Sequence, residues 1–366
     1  MLNKKYVDKL CGIMVKNKID GMMIGPSVDL EYIMKYSPHI DERFQSLFLL
    51  SDKRYFYISP EITYEEIKGK LDDDADIYQW GDHEEFSDIV IAAMNKYQLS
   101  DKKIGVNNGI VAINLIDIKE KINSSFINGH PIMEMLRIRK DENEIEKLKK
   151  AAKLADEVMG ETFDYIHPGI TERDIKEKIE ELFMQKGADE LSFEPIVASG
   201  PNSSMPHYCE DSRVIQEKDI IILDIGCKYK GYCSDTSRTV FVGEITDEEK
   251  NIYEIILKSN KAGEEAAKQG VKAEDVDKAS RDVIQNEGFG QNFLNRTGHG
   301  IGISVHEAPY IRTGNKQILE EGMAFSVEPG IYMQNKFGMR IEDIVVIGKN
   351  GPEVLNNFTK EIIVIK

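Results

Sequence analysis

The chain has 366 residues, 41% of them hydrophobic and 30% charged, with a formal net charge of −17. That length leaves room for two sizeable cores, and the ordinary composition, free of low-complexity tracts and solenoid-period repeats, argues against a mainly disordered or repeat protein. The acidic balance and the lack of basic clusters exclude nucleic acid and anionic membrane as partners and favour a small or peptide ligand.

The N-terminal stretch carries no apolar run behind its charges, and no segment approaches the roughly 20 apolar residues of a spanning helix, so a cytoplasmic protein is expected. Residues 1–130 alternate short apolar runs with amphipathic stretches. Strands are predicted over Gly21–Gly25, Leu47–Leu50, Tyr55–Ser59, Ile77–Trp80 and Lys103–Val106, and helices over Lys4–Lys16, Glu61–Lys70, Glu84–Tyr97 and Ile113–Lys121. That order indicates an α/β domain. His39, His83 and His130 stand alone among turn-like neighbours and read as surface residues.

A linker is expected over residues 131–140, where Asn-Gly-His-Pro gives way to a basic and then an acidic stretch. The second domain, 141–366, opens on a long helix with Ile145, Leu148, Ala152, Ala155 and Met159 at helical spacing, ended by Pro168-Gly169. Thr171 with Asp174 caps the next helix, which Gly187 closes; Thr246 with Glu249 caps a third, and a fourth runs over Glu274–Glu287. Strand-like runs fall between them at Pro195–Ala198, Asp219–Ile225, Tyr232–Val242, Met323–Glu328 and Arg340–Ile347. Two helix pairs on one sheet are expected. Cys11, Cys209, Cys227 and Cys233 show no framework spacing and read as reduced thiols, the latter two as strand residues rather than soft metal ligands.

The chemistry lies in this second half. Asp224 follows the apolar run Ile220–Leu223 and projects near the end of a buried strand, with Gly226 letting the chain turn close by; alone, it could equally be a turn residue. Asp235 lies beyond Gly231, and a hairpin would set it opposite Asp224. Two such carboxylates repel unless a cation or proton lies between them, and for the pair alone metal binding and turn chemistry are equally good readings. His299, bracketed by glycines in Thr-Gly-His-Gly-Ile-Gly, is expected on a tight, sterically open loop; that loop lacks the Lys-Ser/Thr of a phosphate-binding loop. Glu328 and Glu342 fall in strand-like segments and complete a set of four carboxylates and one imidazole. Such a set suits two hard divalent ions held about 3.5–4 Å apart better than a single zinc.

With these motifs in place, the chain resembles metallopeptidase family M24, which includes Xaa-Pro aminopeptidases, Xaa-Pro dipeptidases (prolidases) and methionine aminopeptidases and has the pita-bread fold. The resemblance spans about residues 140–366, through all five ligands in order. Residues 1–130 resemble the creatinase/prolidase N-terminal domain in length and alternation only, which favours the proline-specific branch. The fold class implied is α/β (α+β). The resemblance further implies that Asp224 binds one metal, that Asp235 and Glu342 bridge both, and that His299 and Glu328 complete the second site. His207 in Met-Pro-His-Tyr, His306 in Val-His-Glu-Ala-Pro and Arg340 match further family positions, the histidines contacting the scissile carbonyl or stabilising the oxyanion. Glu328 is then the candidate proton shuttle. Manganese suits the oxygen-rich set, with cobalt, zinc or iron as other occupants. A proline-containing peptide as substrate and a homodimer are implied as well.

Two positions depart from the pattern. Asn295 stands where some Xaa-Pro aminopeptidases carry histidine, and Tyr310 stands where many dipeptidases carry the arginine that binds the substrate carboxylate, leaving Arg312 as a substitute two residues on. The expectation leans to an aminopeptidase, with a prolidase as the alternative. A creatinase-like amidinohydrolase would not need five ligands, and a non-catalytic binding module would be expected to have lost some.

Overall fold

The computed structural model describes residues 2–365, which divide into two units between Arg137 and Ile138. In the first unit the predicted strands assemble into a six-stranded sheet, in the order Asp76–Trp80, Tyr55–Pro60, Ser46–Leu50, Gly21–Ile24, Lys103–Val106 and Ser125–Asn128. Gly21–Ile24 and Ser46–Leu50 pair antiparallel, as do Ser46–Leu50 and Tyr55–Pro60, while the outer pairs run parallel. The helix Lys4–Lys16 forms over the predicted residues because Val7, Leu10, Cys11 and Met14 recur on one buried face. The sheet adds an edge strand, Ser125–Asn128, whose residues are half-buried or exposed and so carry little apolar signal. The segment expected as a linker is mostly helix, His130–Arg137, because Ile132, Met133 and Leu136 bury one face within the first unit. The connection proper is therefore shorter than residues 131–140.

The second unit begins with the helix Glu142–Tyr165, whose N-terminus is closed by a reciprocal capping box between Asp141 and Glu144. The same device, Thr171 with Asp174 and Thr246 with Glu249, starts the helices Glu172–Gln185 and Asp247–Ala266, and Ala273–Asn286 follows. Each satisfies backbone donors that an isolated helix start leaves bare.

The expected single sheet is divided. A four-stranded sheet runs Val364–Ile365, Thr236–Val242, Ile220–Ile225, Ile196–Ser199, and a five-stranded one runs Glu307–Ile311, Gly298–Gly300, Ala324–Val327, Asp343–Gly348, Gly351–Val354. An antiparallel bridge between Ser237 and Glu342 joins them. Ile220–Ile225 is central in its sheet and wholly buried, which explains the unbroken apolar run before Asp224. The helix pair Glu142–Tyr165 and Glu172–Gln185 buries Ala155, Val158, Ile175 and Ile179 against Val197, Ile221 and Val240 of the first sheet. The other pair meets the second sheet through Ala273 and Val276 against Phe325, Val327 and Val345.

Two predicted strands are broken at their ligands. The run predicted from Tyr232 stops after Cys233 and resumes at Thr236, and the run predicted over Arg340–Ile347 is split, with Arg340 ending the strand Phe337–Arg340 and a new strand beginning at Asp343. Asp235 and Glu342 occupy those interruptions; Glu342 makes its single bridge to Ser237 there, and both carboxylates line the same cavity.

Candidate metal centre

Asp224 pairs with Ser237 in the ladder of Ile220–Ile225 and Thr236–Val242, so Asp235 lies two residues beyond its cross-strand partner and not directly opposite it. Residues two apart on a strand share a face, which still sets both aspartates on one side of the sheet. The hairpin feeding this strand turns at Lys230 and Gly231, φ 48° and 78°, a left-handed pair suited to a two-residue turn.

His299 is not on an open loop. It is buried in the short strand Gly298–Gly300, between Glu307–Ile311 and Ala324–Val327. The flanking glycines serve close backbone approach: a Cβ on Gly298 would fall 1.8 Å from the Ser326 carbonyl oxygen, and one on Gly300 would fall 2.2 Å from that of Ala308. Glu328 follows Ala324–Val327, and its N–H donates to the Thr297 carbonyl at 2.8 Å, which ties it to the histidine strand.

All eight predicted site residues line one cavity of about 580 Å³ within the second unit. Asp235, His299 and Glu342 offer ligand atoms that all lie within 4.8 Å of one another. Asp224 and Glu328 stand just outside that group: Asp224 Oδ2 accepts from Arg340 Nη2 at 2.7 Å, and Glu328 Oε1 lies 3.2 Å from His299 Nε2. Asp224 Oδ1, Asp235 Oδ1 and Glu342 Oε1 are buried without a hydrogen-bond partner among the described residues. Buried carboxylate oxygens that lack donors are costly unless a cation satisfies them, so this donor set fits divalent metal.

The electrostatics point the same way. Burial, then the charges of Glu342, Asp224 and Glu328, holds the Asp235 carboxyl well above the usual carboxylate range. Burial with the charges of Glu328 and Asp224 does the same for Glu342, and Glu328 is pushed up to about 7 by burial foremost. His299 is held well below the ordinary imidazole value by burial and by His306 and Arg296, which keeps it neutral and able to donate a lone pair. Its Nδ1 lies 3.2 Å from the Gly300 carbonyl, leaving Nε2 toward the carboxylates.

Around the acids, Arg340 is buried and donates from Nε to Ser237 Oγ at 2.8 Å and from Nη1 to the Tyr332 hydroxyl at 2.7 Å. Ser237 Oγ donates to Glu342 Oε2 at 2.7 Å, and Ser326 Oγ to Glu328 Oε1 at 3.1 Å. His306 meets His299 edge-on, ring centroids 4.2 Å apart, and His207 reaches the cavity from an exposed segment.

Arg312, expected as a carboxylate anchor, is exposed and lies outside the cavity lining. Arg296 lines the cavity instead, makes no ion pair among the described residues, and lies 5.1 Å from the centroid of the Tyr310 ring. Sequence reasoning passed over it, although a lone basic residue three positions before His299 in Asn-Arg-Thr-Gly-His was there to be read. Ser237, Ser326 and Tyr332 were also passed over; serine and tyrosine carry no positional signal without the strand register.

Comparison with known proteins agrees with this architecture. Residues 146–349 match the model of metallopeptidase family M24, and residues 7–139 match the creatinase/prolidase N-terminal domain. The chain is 34% identical over 363 residues to the Xaa-Pro dipeptidase of Lactobacillus helveticus, covering 98% of each chain. The crystal structure of a prolidase from Thermococcus sibiricus superposes with a TM-score of 0.94 at 35% identity, covering 100% of both chains. An X-Pro aminopeptidase from Thermotoga maritima superposes with a TM-score of 0.86 at 29% identity, covering 98% of this chain and 99% of its own.

Proposed function

Because the chain belongs to metallopeptidase family M24, we propose that this metallopeptidase is an Xaa-Pro dipeptidase, a prolidase, working with two divalent ions. Asp224, Asp235, His299, Glu328 and Glu342 would hold the ions, with Asp235 and Glu342 shared between them. The observation that carries the dipeptidase reading over the aminopeptidase is Arg296, a cation without a carboxylate partner among the described residues, in the wall of the cavity that holds the acids. A dipeptide presents its α-carboxylate one residue from the scissile bond, and a guanidinium is suited to bind it. The names of the Lactobacillus helveticus and Thermococcus sibiricus relatives support the same choice. The lean toward an aminopeptidase rested on Tyr310 replacing an arginine, and Arg296 supplies that charge from another position.

When bound, the ions would polarise the scissile carbonyl and lower the pKa of a water near neutral pH. Glu328, a carboxylate whose Oε1 lies 3.2 Å from His299 Nε2 in the cavity, would take a proton and return it to the departing proline nitrogen. His207 and His306 would donate to the carbonyl oxygen as charge develops on it. Arg340 would hold Asp224 and, through Ser237, the Glu342 carboxylate in fixed orientation. Arg296 would draw the substrate carboxylate to the far side of the cavity and so exclude peptides extended beyond proline.

Manganese as the native metal, homodimeric assembly and a cytoplasmic setting complete the proposal. No helix among the described residues is long and apolar enough to cross a membrane. The deciding assay measures amino-acid release from matched Xaa-Pro and Xaa-Pro-Yaa peptides by apo-protein reloaded with manganese, with Asp235→Ala as control. Cleavage confined to the dipeptide is expected; equal or faster cleavage of the tripeptide would restore the aminopeptidase reading.

A further inference from the structure

Asp277 is a buried carboxylate on the helix Ala273–Asn286, 1% exposed and outside the cavity lining. It gathers donors from three segments: Thr297 Oγ1 at 2.7 Å, Thr313 Oγ1 at 2.7 Å and Arg281 Nη2 at 2.9 Å, with the Thr297 N–H at 3.3 Å. Burial opposes its charge, but the bonds from Arg281, Thr313 and Thr297 prevail and hold its carboxyl below the usual range. Arg281 lies one helical turn on, and its guanidinium does more than neutralise Asp277. Nη2 also donates to the Asn295 carbonyl at 2.9 Å and Nη1 to the Phe293 carbonyl at 3.3 Å, while the group sits 4.0 Å from the Phe293 ring centroid.

Residues 293–297 lie between the short helical turn Gly290–Asn292 and the strand Gly298–Gly300; the Thr297 carbonyl accepts from the Glu328 N–H, whereas the Phe293 and Asn295 carbonyls have no strand partner. Backbone acceptors in such a segment must find donors elsewhere, and the donor found fixes the path of the chain. Arg281 grips the segment at Phe293 and Asn295, and Asp277 grips it at Thr297. Arg296 lies between those two anchors and lines the cavity, its guanidinium 5.1 Å from the Tyr310 ring centroid. Asn295, held by Arg281 through its carbonyl, donates from its side-chain amide to the Glu328 carbonyl at 3.2 Å.

We propose that Asp277 and Arg281 are positioning residues for Arg296, and that this ion pair, from outside the cavity, sets how tightly the free carboxylate of the substrate is bound. The inference rests on the dipeptidase reading. A planar guanidinium can serve Asp277 and two carbonyls at once, whereas an ammonium at this position cannot span the same three acceptors.

The test compares wild type, Arg281→Met and Arg281→Lys, all manganese-loaded and matched for metal content and melting temperature, with Ala-Pro as substrate and proline and prolinamide as competing ligands. For Arg281→Met, KM for Ala-Pro and Ki for proline rise about tenfold while kcat stays within about twofold, the pattern of lost ground-state binding. Ki for prolinamide, which lacks the carboxylate, does not move, and guanidinium ion added to Arg281→Met restores KM toward wild type. Arg281→Lys, the variant better placed to fold, shifts KM and Ki for proline in the same direction by less. Equal shifts for proline and prolinamide, or a fall in kcat with KM unchanged, would overturn the proposal by showing a general loss of structure. Wild-type protein that leaves Ala-Pro intact would sink the dipeptidase reading and this inference with it; wild-type turnover with an unaltered KM in both variants would sink the inference alone.

Discussion

Arg340 donates from Nη2 to Asp224 Oδ2 at 2.7 Å, and this contact decides which oxygen of the aspartate remains for a metal. With Oδ2 engaged, Oδ1 is the buried oxygen without a partner among the described residues. Arg340 also holds Ser237, which holds Glu342, so one side chain orients two of the proposed ligands. Arg340→Met is expected to weaken manganese binding by about 10–100-fold, the usual cost of losing a group that orients a ligand. Calorimetric titration of the apo-protein reads this directly, and an affinity equal to wild type would remove Arg340 from the centre.

The glycines beside His299 lead to a second expectation. Adding a methyl at Gly298 drives it into the Ser326 carbonyl, a backbone atom that cannot move without shifting the Ala324–Val327 strand and Glu328 behind it. Gly298→Ala should therefore cost about 3 kcal/mol or more, at the upper end of overpacking effects, together with the activity. Gly12→Ala is the control: nothing lies within 4 Å of its Cβ position on the helix Lys4–Lys16, so it should stabilise by about 0.5–1 kcal/mol. Urea midpoints for the two variants that moved together would refute the steric argument.

These positions also mark where the sequence is legible. Helices can be read because caps such as Thr171 with Asp174 and Thr246 with Glu249 are local, and because apolar residues recur at 3.6 spacing; both of those reciprocal boxes form. The five proposed ligands and the three residues beside them can be picked out from family context, and all eight line one cavity. What could not be read depends on which strands become neighbours. The division into two sheets, the breaks at Asp235 and Glu342, and the two-residue offset that pairs Asp224 with Ser237 and not with Asp235 are all settled by long-range pairing, to which single-strand patterns are blind. Arg296 was missed for a related reason: its role depends on the direction of an irregular segment held by a distant helix.

A third expectation concerns pH. Lys360 Nζ lies 2.5 Å from both Glu264 Oε1 and Asp343 Oδ2, and burial, followed by the charge of Asp343, pushes the Glu264 carboxyl up to about 7 from its ordinary 4.5. The folded state thus holds this proton more tightly than the unfolded chain. Its contribution to stability is fully present below pH 4.5 and is lost as pH rises through about 7. Glu264→Gln keeps the shape without the titration, so its stability relative to wild type should increase across that window. Urea denaturation of manganese-saturated protein isolates the effect from the carboxylates of the centre; a difference between the two proteins that is flat with pH would show that Glu264 is ionised throughout.

The four cysteines separate by environment, and that separation predicts a chemical probe of the cavity. Cys11, Cys227 and Cys233 are buried, and burial pushes the first two thiols up to about 11 and about 12 and the third higher still, so each lacks both access and thiolate. Cys209 is exposed and lines the same cavity as His207 and Arg296, on a segment whose Cys209 carbonyl accepts from Lys176 Nζ at 3.3 Å. A disulfide-exchanging aromatic reagent should label one thiol per chain in the native protein and the rest only after unfolding. The adduct, anchored at the cavity wall, should compete with the peptide and abolish dipeptide turnover without releasing manganese, because no proposed ligand is touched. Cys209→Ser should turn over substrate at the wild-type rate and ignore the reagent. Inactivation that persists in Cys209→Ser would mean that a second thiol is reached, contradicting the burial of the other three; full labelling with activity intact would mean that the peptide binds away from this wall.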